Sequence, residues 1–345
     1  MKRFIHSVLW TIAAIGVVLL LGLGYVWINE WQPAPEEIIY SDSDIHSILP
    51  DTLTILTWNT GYAGLGDDMD FFLDGGKGAR TSRERTEENL QNVTDFLTSC
   101  DADIILLQEV DRNSRRTYRI DQFAYYQEAL PDYYGYFAYN YKTLFAPVPL
   151  HAPTGRIEAG LAIFSRFPPE EVCRYQYPSR YGFPERLFLM KLGLMGAWFG
   201  TTFGHDILIG NTHNTAYDDG GMRTEEMEWI RNSLVREEPG LLSITGGDWN
   251  QNPPGYIARS DEIENPYFSP LQIKEEFFSP GWEFAYDAST PSNRYLYETL
   301  SDSTTRTTLD FFLASPGIEC LQVKTVDLGF HHSDHNPVVA TFVIQ

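Results

Sequence analysis

Cysteine and positive charge are both scarce in this chain, and each scarcity narrows the options. Only Cys100, Cys173 and Cys320 occur in 345 residues. An odd count at wide spacing is neither a disulfide framework nor a zinc-ligand pattern, and at most one pair could form. Lys and Arg number 25 against 47 Asp and Glu, a formal charge of −22. With Lys2 and Arg3 set aside, 23 basic residues face the same 47 acids and the remainder carries −24. Such a surface repels polyphosphate backbones unless a local patch or bound cations intervene, so nucleic acid is a handicapped substrate. Internal repeats, low-complexity tracts and a second linker are also missing, which excludes repeat architectures and points to one large domain.

A long apolar run opens the chain. Residues 4–29 carry no formal charge apart from a protonatable His6, and about 20 residues suffice to cross a bilayer. The run ends in Tyr25 and Trp27, with Trp31 just beyond, aromatic residues of the kind that sit at membrane interfaces. An uncleaved signal anchor is the expectation, with a cleaved signal peptide as the alternative. Lys2 and Arg3 place residues 1–3 in the cytoplasm and the bulk outside, giving a single-pass membrane protein with an extracytoplasmic domain. Residues 30–50, rich in Pro, Ser and acid, read as a tether open to proteases, and the folded domain is expected over 51–345.

Within that domain, short apolar runs end repeatedly in polar residues. "LTILTWNT" (53–60) and "DIILLQEV" (103–110) flank an amphipathic helix carrying Leu90, Val93, Phe96 and Leu97. Further runs are "GLAIFSR", "ERLFLMKL", "DILIGNTH", "GLLSITGGDWN", "TTLDFFLAS" and "NPVVATFVI", with a second helix expected over 222–236. Strands outnumber helices and mix hairpin with crossover connections, which suits two packed mixed sheets with helices outside. Their polar ends are Asn59, Glu109, Asn211 with His213, Asp248 with Asn250, Asp310, and Ser333-Asp334-His335. Any one could cap a turn or face solvent, although Asp310 inside "TLDFFL" requires a partner. Together they argue for a convergent site.

The ordered set "WNT", "LQEV", "GLAIFSR", "NTH", "GDWN", "LDFFLAS" and "SDHNPV" resembles the endonuclease/exonuclease/phosphatase superfamily from about residue 52 to the end. The resemblance implies a four-layer α/β/β/α sandwich, here preceded by one transmembrane helix, and hydrolysis of a phosphoric ester with magnesium or another divalent ion, manganese or calcium, one or two per site. Glu109, with Asn59 beside it, suits such an oxygen-seeking cation, and Asp334 would be a metal or neighbouring ligand. By similarity, Asp248 orients and deprotonates the attacking water, Asn250 holds that water or a phosphate oxygen, and His213 and His335 grip the phosphoryl group. Asp310 would pair with His335 and raise its basicity. Asn211 is expected at the substrate, while Arg156 and Arg166 could touch phosphate, with surface charge the simpler reading. His331 and His332 carry no assigned role. Abasic-site endonucleases resemble one another in having tyrosine where this chain has His213, which favours the branch of secreted deoxyribonucleases, sphingomyelinases and inositol polyphosphate phosphatases. The expected substrate is a lipid headgroup or small phosphoester and the expected form a monomer. A nuclease and a catalytically inactive binding module are the alternatives.

Overall fold

The structure, a computed structural model, describes residues 1–218, 220–234, 242–258 and 268–345. In chain order the strands are β1 (Glu36–Ser41), β2 (Ile48–Leu49), β3 (Thr52–Asn59), β4 (Ile104–Asp111), β5 (Tyr134–Ala146), β6 (Gly155–Ser165), β7 (Glu171–Gln176), β8 (Gly193–Thr201) and β9 (Asp206–His213). After these come β10 (Leu242–Asp248), β11 (Gln251–Asn252), β12 (Leu271–Gln272), β13 (Glu283–Ala285), β14 (Asn293–Arg294), β15 (Arg306–Thr307), β16 (Asp310–Ala314), β17 (Ile318–Thr325) and β18 (Val338–Ile344). Four helices are described: α1 (Lys2–Ile28), α2 (Arg83–Ser99), α3 (Gln122–Ala129) and α4 (Gly221–Leu234). The last two positions of the helix expected over 222–236 lie outside the described residues.

Helix α1 buries none of its apolar stretch and is long and apolar enough to cross a membrane. The rest forms two large sheets, one in the order β17-β18-β3-β4-β6-β5 and one in the order β1-β7-β8-β9-β10-β16-β13 with β2 beside β8, and two small two-stranded ones, β11-β12 and β14-β15. Strand pleating divides their side chains into three buried layers. Leu53 and Ile55 of β3, Ile104 and Leu106 of β4, Ile207 and Ile209 of β9 and Phe312 of β16 fill the space between the sheets. The alternate residues Leu56, Trp58, Ile105 and Leu107 pack under Leu90, Val93 and Leu97 of α2. On the far side, Leu208, Phe311 and Leu313 pack under Met227, Ile230 and Leu234 of α4. This is the expected α/β/β/α sandwich.

Two expectations are corrected here. Asn211, expected at the substrate, is fully buried between the sheets. Its Nδ2 donates to the carbonyls of Leu107 and Ala162 at 3.0 and 2.9 Å, and its Oδ1 accepts from Gln108 Nε2 at 2.7 Å. All its capacity goes to tying one sheet to the other. The expected tether over 30–50 is in large part folded. β1 pairs antiparallel with β7, Glu36 opposite Tyr175 through Ser41 opposite Glu171, and β2 runs parallel to β8. Glu30 is buried in an ion pair with Arg186 and Lys191 at 3.4 and 3.2 Å. The misreading has a cause: "EEIIYS" is an edge strand whose Ile38 and Ile39 face solvent, so it lacks the alternation of a half-buried strand.

Removing β1 would strip buried Arg174 of Glu37, 3.5 Å away. Burial already pulls that guanidinium down to about 10, with Glu37 acting against it. An edge strand and the partner of a buried charge together contribute about 2–4 kcal/mol, so a fragment beginning at residue 51 should melt about 5–10 °C below one beginning at residue 30. Equal Tm values by calorimetry would show that β1 contributes nothing to folding. Asn211→Ala should cost about 2–3 kcal/mol in urea denaturation, because two carbonyls and the Gln108 amide lose buried partners. A loss below about 0.5 kcal/mol would remove the inter-sheet tie from the account.

Candidate active site

The same pleat that points Ile55, Ile209, Ile244 and Phe312 into the inter-sheet core points Asn59, His213, Asp248 and Asp310 the same way, at one end of the sandwich. β3, β4, β9 and β10 finish at that end, while β16 and β18 begin there. Parallel register puts His213 beside Asp248, and antiparallel register puts Asp310 on the other side of Asp248.

Local backbone devices aim the remaining groups. β4 bulges between Leu107 and Val110, and Glu109 adopts a φ of +57° there, which turns its carboxylate into the pocket. Such a conformation is costly for a non-glycine residue and marks a constrained site. Asn250 also lies at positive φ, +49°. It is held by its own N–H donating to Asp248 Oδ1 at 2.9 Å and by its side chain donating to the Asn214 carbonyl at 2.8 Å. Trp249 between them is locked in the core, donating to the Phe311 carbonyl and stacked on the Phe311 ring. After β3 the chain turns through Gly61 at φ +52°, where a Cβ would come within 2.8 Å of Asp334 Oδ1. Glycine is therefore required for "SDH" to approach β3. Ser333 donates to the Asn59 carbonyl, and Trp58 Nε1 donates to the His335 carbonyl, each at 2.8 Å.

His335 is the hub. Its Nδ1 lies 2.8 Å from Asp310 Oδ2, the pairing that the resemblance implied. Its Nε2 lies 2.9 Å from the Asn293 amide, 3.7 Å from Asp248 Oδ2 and 3.8 Å from Asp334 Oδ2. Burial alone would depress this imidazole, but the carboxylates of Asp310, Asp248 and Asp334 hold it well above its ordinary value. Burial raises Asp310, opposed by the His335 charge and its hydrogen bond. Asp334 is pushed up to about 7 by burial, with His335 acting against that and the Glu109 charge adding to it. His213 Nε2 completes the ring, 3.6 Å from Asp248 Oδ2 and 3.9 Å from Glu109 Oε1.

Two groups of donors could hold a cation. Asp248, Asp310 and His335 form a tight buried cluster of ligand-type atoms. Asp310 Oδ2, however, is already committed to His335 and to the Ser292 hydroxyl at 2.7 Å, and its charge serves the imidazole. Glu109 and Asp334 are better placed. They repel one another, both line the pocket, and the desolvated Asp334 is relieved only partly by His335 and Arg294. A pair of under-compensated carboxylates is what a hard divalent cation stabilises, so the donor set fits magnesium.

Asn59 differs from expectation in its manner of acting. Its Nδ2 donates to Asp248 Oδ2 at 2.9 Å and its Oδ1 accepts from the Gly61 N–H at 3.0 Å, so it positions Asp248 rather than standing free as a metal ligand. Arg156 is not brought to the site. It is paired with Glu158 on the opposite face of β6 from the pocket-lining Ile157 and Ala159. Arg166 is likewise spent on Asp101. His331 contacts Asp67 and His332 contacts Asn89, both away from the pocket. Sequence reasoning missed Ser292 and Asn293, which hold Asp310 and His335. They lie in "TPSNRY", polar and Pro-flanked, with no strand pattern to single them out. It also missed Arg116, which lines the pocket, stacks over Tyr62 with its guanidinium 3.5 Å from the ring centroid and pairs with buried Asp111.

Comparison with known proteins agrees with this fold. No curated protein matches the chain in sequence. Among solved structures, an endonuclease/exonuclease/phosphatase from Beutenbergia cavernae aligns over 85% of this chain and 72% of its own, at 16% identity and TM-score 0.57. TDP2 of D. rerio, solved with a single-strand DNA product, aligns over 84% and 98% at 13% identity and TM-score 0.54. A Bacteroides vulgatus endonuclease/exonuclease/phosphatase aligns over 85% and 99% at 14% identity and TM-score 0.53. At such identities the likeness establishes the fold. The family model itself matches residues 56–335, and on that match the chain belongs to the Endonuclease/Exonuclease/phosphatase family.

Proposed function

We propose that this protein is a membrane-anchored, divalent-metal-dependent hydrolase of phosphoric esters, with its N-terminus in the cytoplasm and its catalytic domain outside. The observation that carries the reading is the single pocket floor on which Glu109 and Asp334 meet His213, Asp248 and the Asp310–His335 pair. No residue of that set is missing, which argues against an inactive binding module.

A phosphoric ester resists attack because its oxygens repel the incoming nucleophile. A divalent cation at Glu109 and Asp334 would neutralise that charge. Asp248 faces the pocket with Oδ2 between His213 and His335, at 3.6 and 3.7 Å, and is held there by Asn59 and Asn250. In that position it accepts a proton from water as the water oxygen bonds to phosphorus. The ester P–O bond breaks with its electron pair on the leaving oxygen, which takes a proton from solvent water, and Asp248 returns its proton to solvent. His213 and His335 would grip the phosphoryl oxygens, and Asp310, bonded to His335 Nδ1, orients the ring and raises its basicity. The acidic surface and the apolar upper wall of the pocket, including Phe72, Leu73, Leu189 and Met190, favour a small or lipid-linked ester over a nucleic acid strand. Monomeric action is part of the same proposal.

EDTA should abolish hydrolysis of a bis-aryl phosphodiester, and Glu109→Gln should raise the magnesium concentration needed to restore it. Full turnover in a metal-free preparation would overturn the proposal. Asp248→Asn and His335→Ala should each lower kcat at least about a hundredfold with circular dichroism unchanged. Asp310→Asn should resemble His335→Ala, and the double variant should be little worse than either alone. Multiplication of two large single effects would mean that Asp310 works independently of His335.

A further inference from the structure

The segment 183–191 is both the ledge on which the anchor's exit rests and a wall of the catalytic pocket. On one side, Trp27 at the end of α1 packs edge-on against Phe183 with ring centroids 6.3 Å apart, and Glu30 is buried between Arg186 and Lys191. Trp31 packs against Tyr139 and lies under the Arg174 guanidinium. On the other side, Leu189 and Met190 line the pocket, and the Lys191 N–H donates to the carbonyl of pocket-lining Asn140 at 2.8 Å. The Tyr141 hydroxyl donates to the Phe188 carbonyl at 2.6 Å and Thr143 to that of Leu187 at 3.2 Å. The ledge and the outer half of β5 therefore run side by side.

Both lead to exposed apolar residues. Phe183 opens the ledge and is 56% exposed. Beyond Thr143, Leu144, Phe145, Val148 and Leu150 are exposed, Leu150 at 86%, and Val148 also lines the pocket. A cluster of this kind beside a membrane helix is unfavourable in water and favourable in a bilayer interface. Trp27 and Trp31 mark the interfacial level, since indole rings prefer that depth. Because Glu30, Trp31 and β1 are docked, the exit of α1 is a short strut and not a swivel.

Building on the phosphoester-hydrolase reading, we propose that the 144–150 loop and Phe183 sit in the leaflet that holds α1, and that the pocket draws its substrate from there. The substrate class is a phosphoric ester carrying at least one hydrocarbon chain. Its phosphate would rest on the His213, Asp248 and His335 floor and its chain would run along Leu189, Met190 and Val148 toward the rim. The apolar wall suits a hydrocarbon chain, and the docked strut suits a substrate held in the membrane.

The test uses the full-length chain in nanodiscs of zwitterionic phospholipid. An environment-sensitive fluorophore on Leu150→Cys should be quenched several-fold by doxyl-labelled lipid, after subtraction of the equally labelled wild type. The same label on Leu321→Cys, at the opposite edge of the six-stranded sheet, should be unaffected. Equal quenching at the two positions, or none at Leu150→Cys, overturns the proposed orientation. In parallel, the double variant Phe145→Asp, Leu150→Asp should lose about tenfold or more of its hydrolysis of sphingomyelin or phosphatidylinositol phosphate in the disc. Its hydrolysis of a soluble bis-aryl phosphodiester should be unchanged. Loss on both substrates, or on neither, overturns the substrate class. If the wild type hydrolyses no ester at all, the enzymatic reading fails together with the substrate class, while the quenching result still decides the orientation.

Discussion

Two sheets packed face to face leave one place where an inward-pointing side chain can be polar without being stranded: the end at which the layers part. Everything else in this molecule depends on that constraint. Along β3, β9, β10 and β16 the inward series is mostly apolar until the last or first position, where it becomes Asn59, His213, Asp248 and Asp310, with Thr57 and Asn211 the deeper polar positions, Thr57 accepting from Gln108. Asn211 is the more informative of the two. Asn211 lies one inward position deeper than His213, beyond reach of the opening, and its amide is consumed by backbone carbonyls of the facing sheet and by Gln108. A polar group at that depth must be satisfied by protein.

The site at the opening is over-supplied with negative charge. Glu109, Asp248, Asp310 and Asp334 surround the two imidazoles His213 and His335. Burying so many carboxylates is unfavourable unless a cation or a proton compensates, and the fold provides compensation in two ways. The Asp310 carboxylate keeps a proton on His335, and the pair Glu109 and Asp334 suits a metal ion. The strained backbone at Glu109 and Asn250 belongs to the same arrangement, since each φ near +50° aims a group that a regular strand would point elsewhere.

The N-terminal helix α1 is fastened to the domain rather than loosely tethered to it. A flexible tether would leave the catalytic domain free to tumble and to sample soluble substrates. Instead, the buried Glu30 ion pair, the Trp31 contacts and the edge strand β1 fasten the base of α1 to the segment that walls the pocket. Under the proposed insertion of α1 in a membrane, these contacts would set the orientation of the domain relative to the bilayer.

Much of the site was legible in the sequence, because strand-terminal polar residues follow from a period of two and can be read one strand at a time. Asn59, Glu109, His213, Asp248, Asn250, Asp310, Asp334 and His335 all line or adjoin one pocket, and the apolar helix at the N-terminus was plain from length and composition. The three-dimensional arrangement alone decided the rest. It sent Asn211 into the inter-sheet space, turned Arg156 to the outer face of β6, gave Asn59 to Asp248, and brought Ser292 to Asp310 and Asn293 to His335 from a segment with no periodicity. It also folded residues 36–41 onto β7. In each case the outcome depends on which partner lies across a sheet or a loop, and residues far apart in the chain carry no local pattern that records their neighbour.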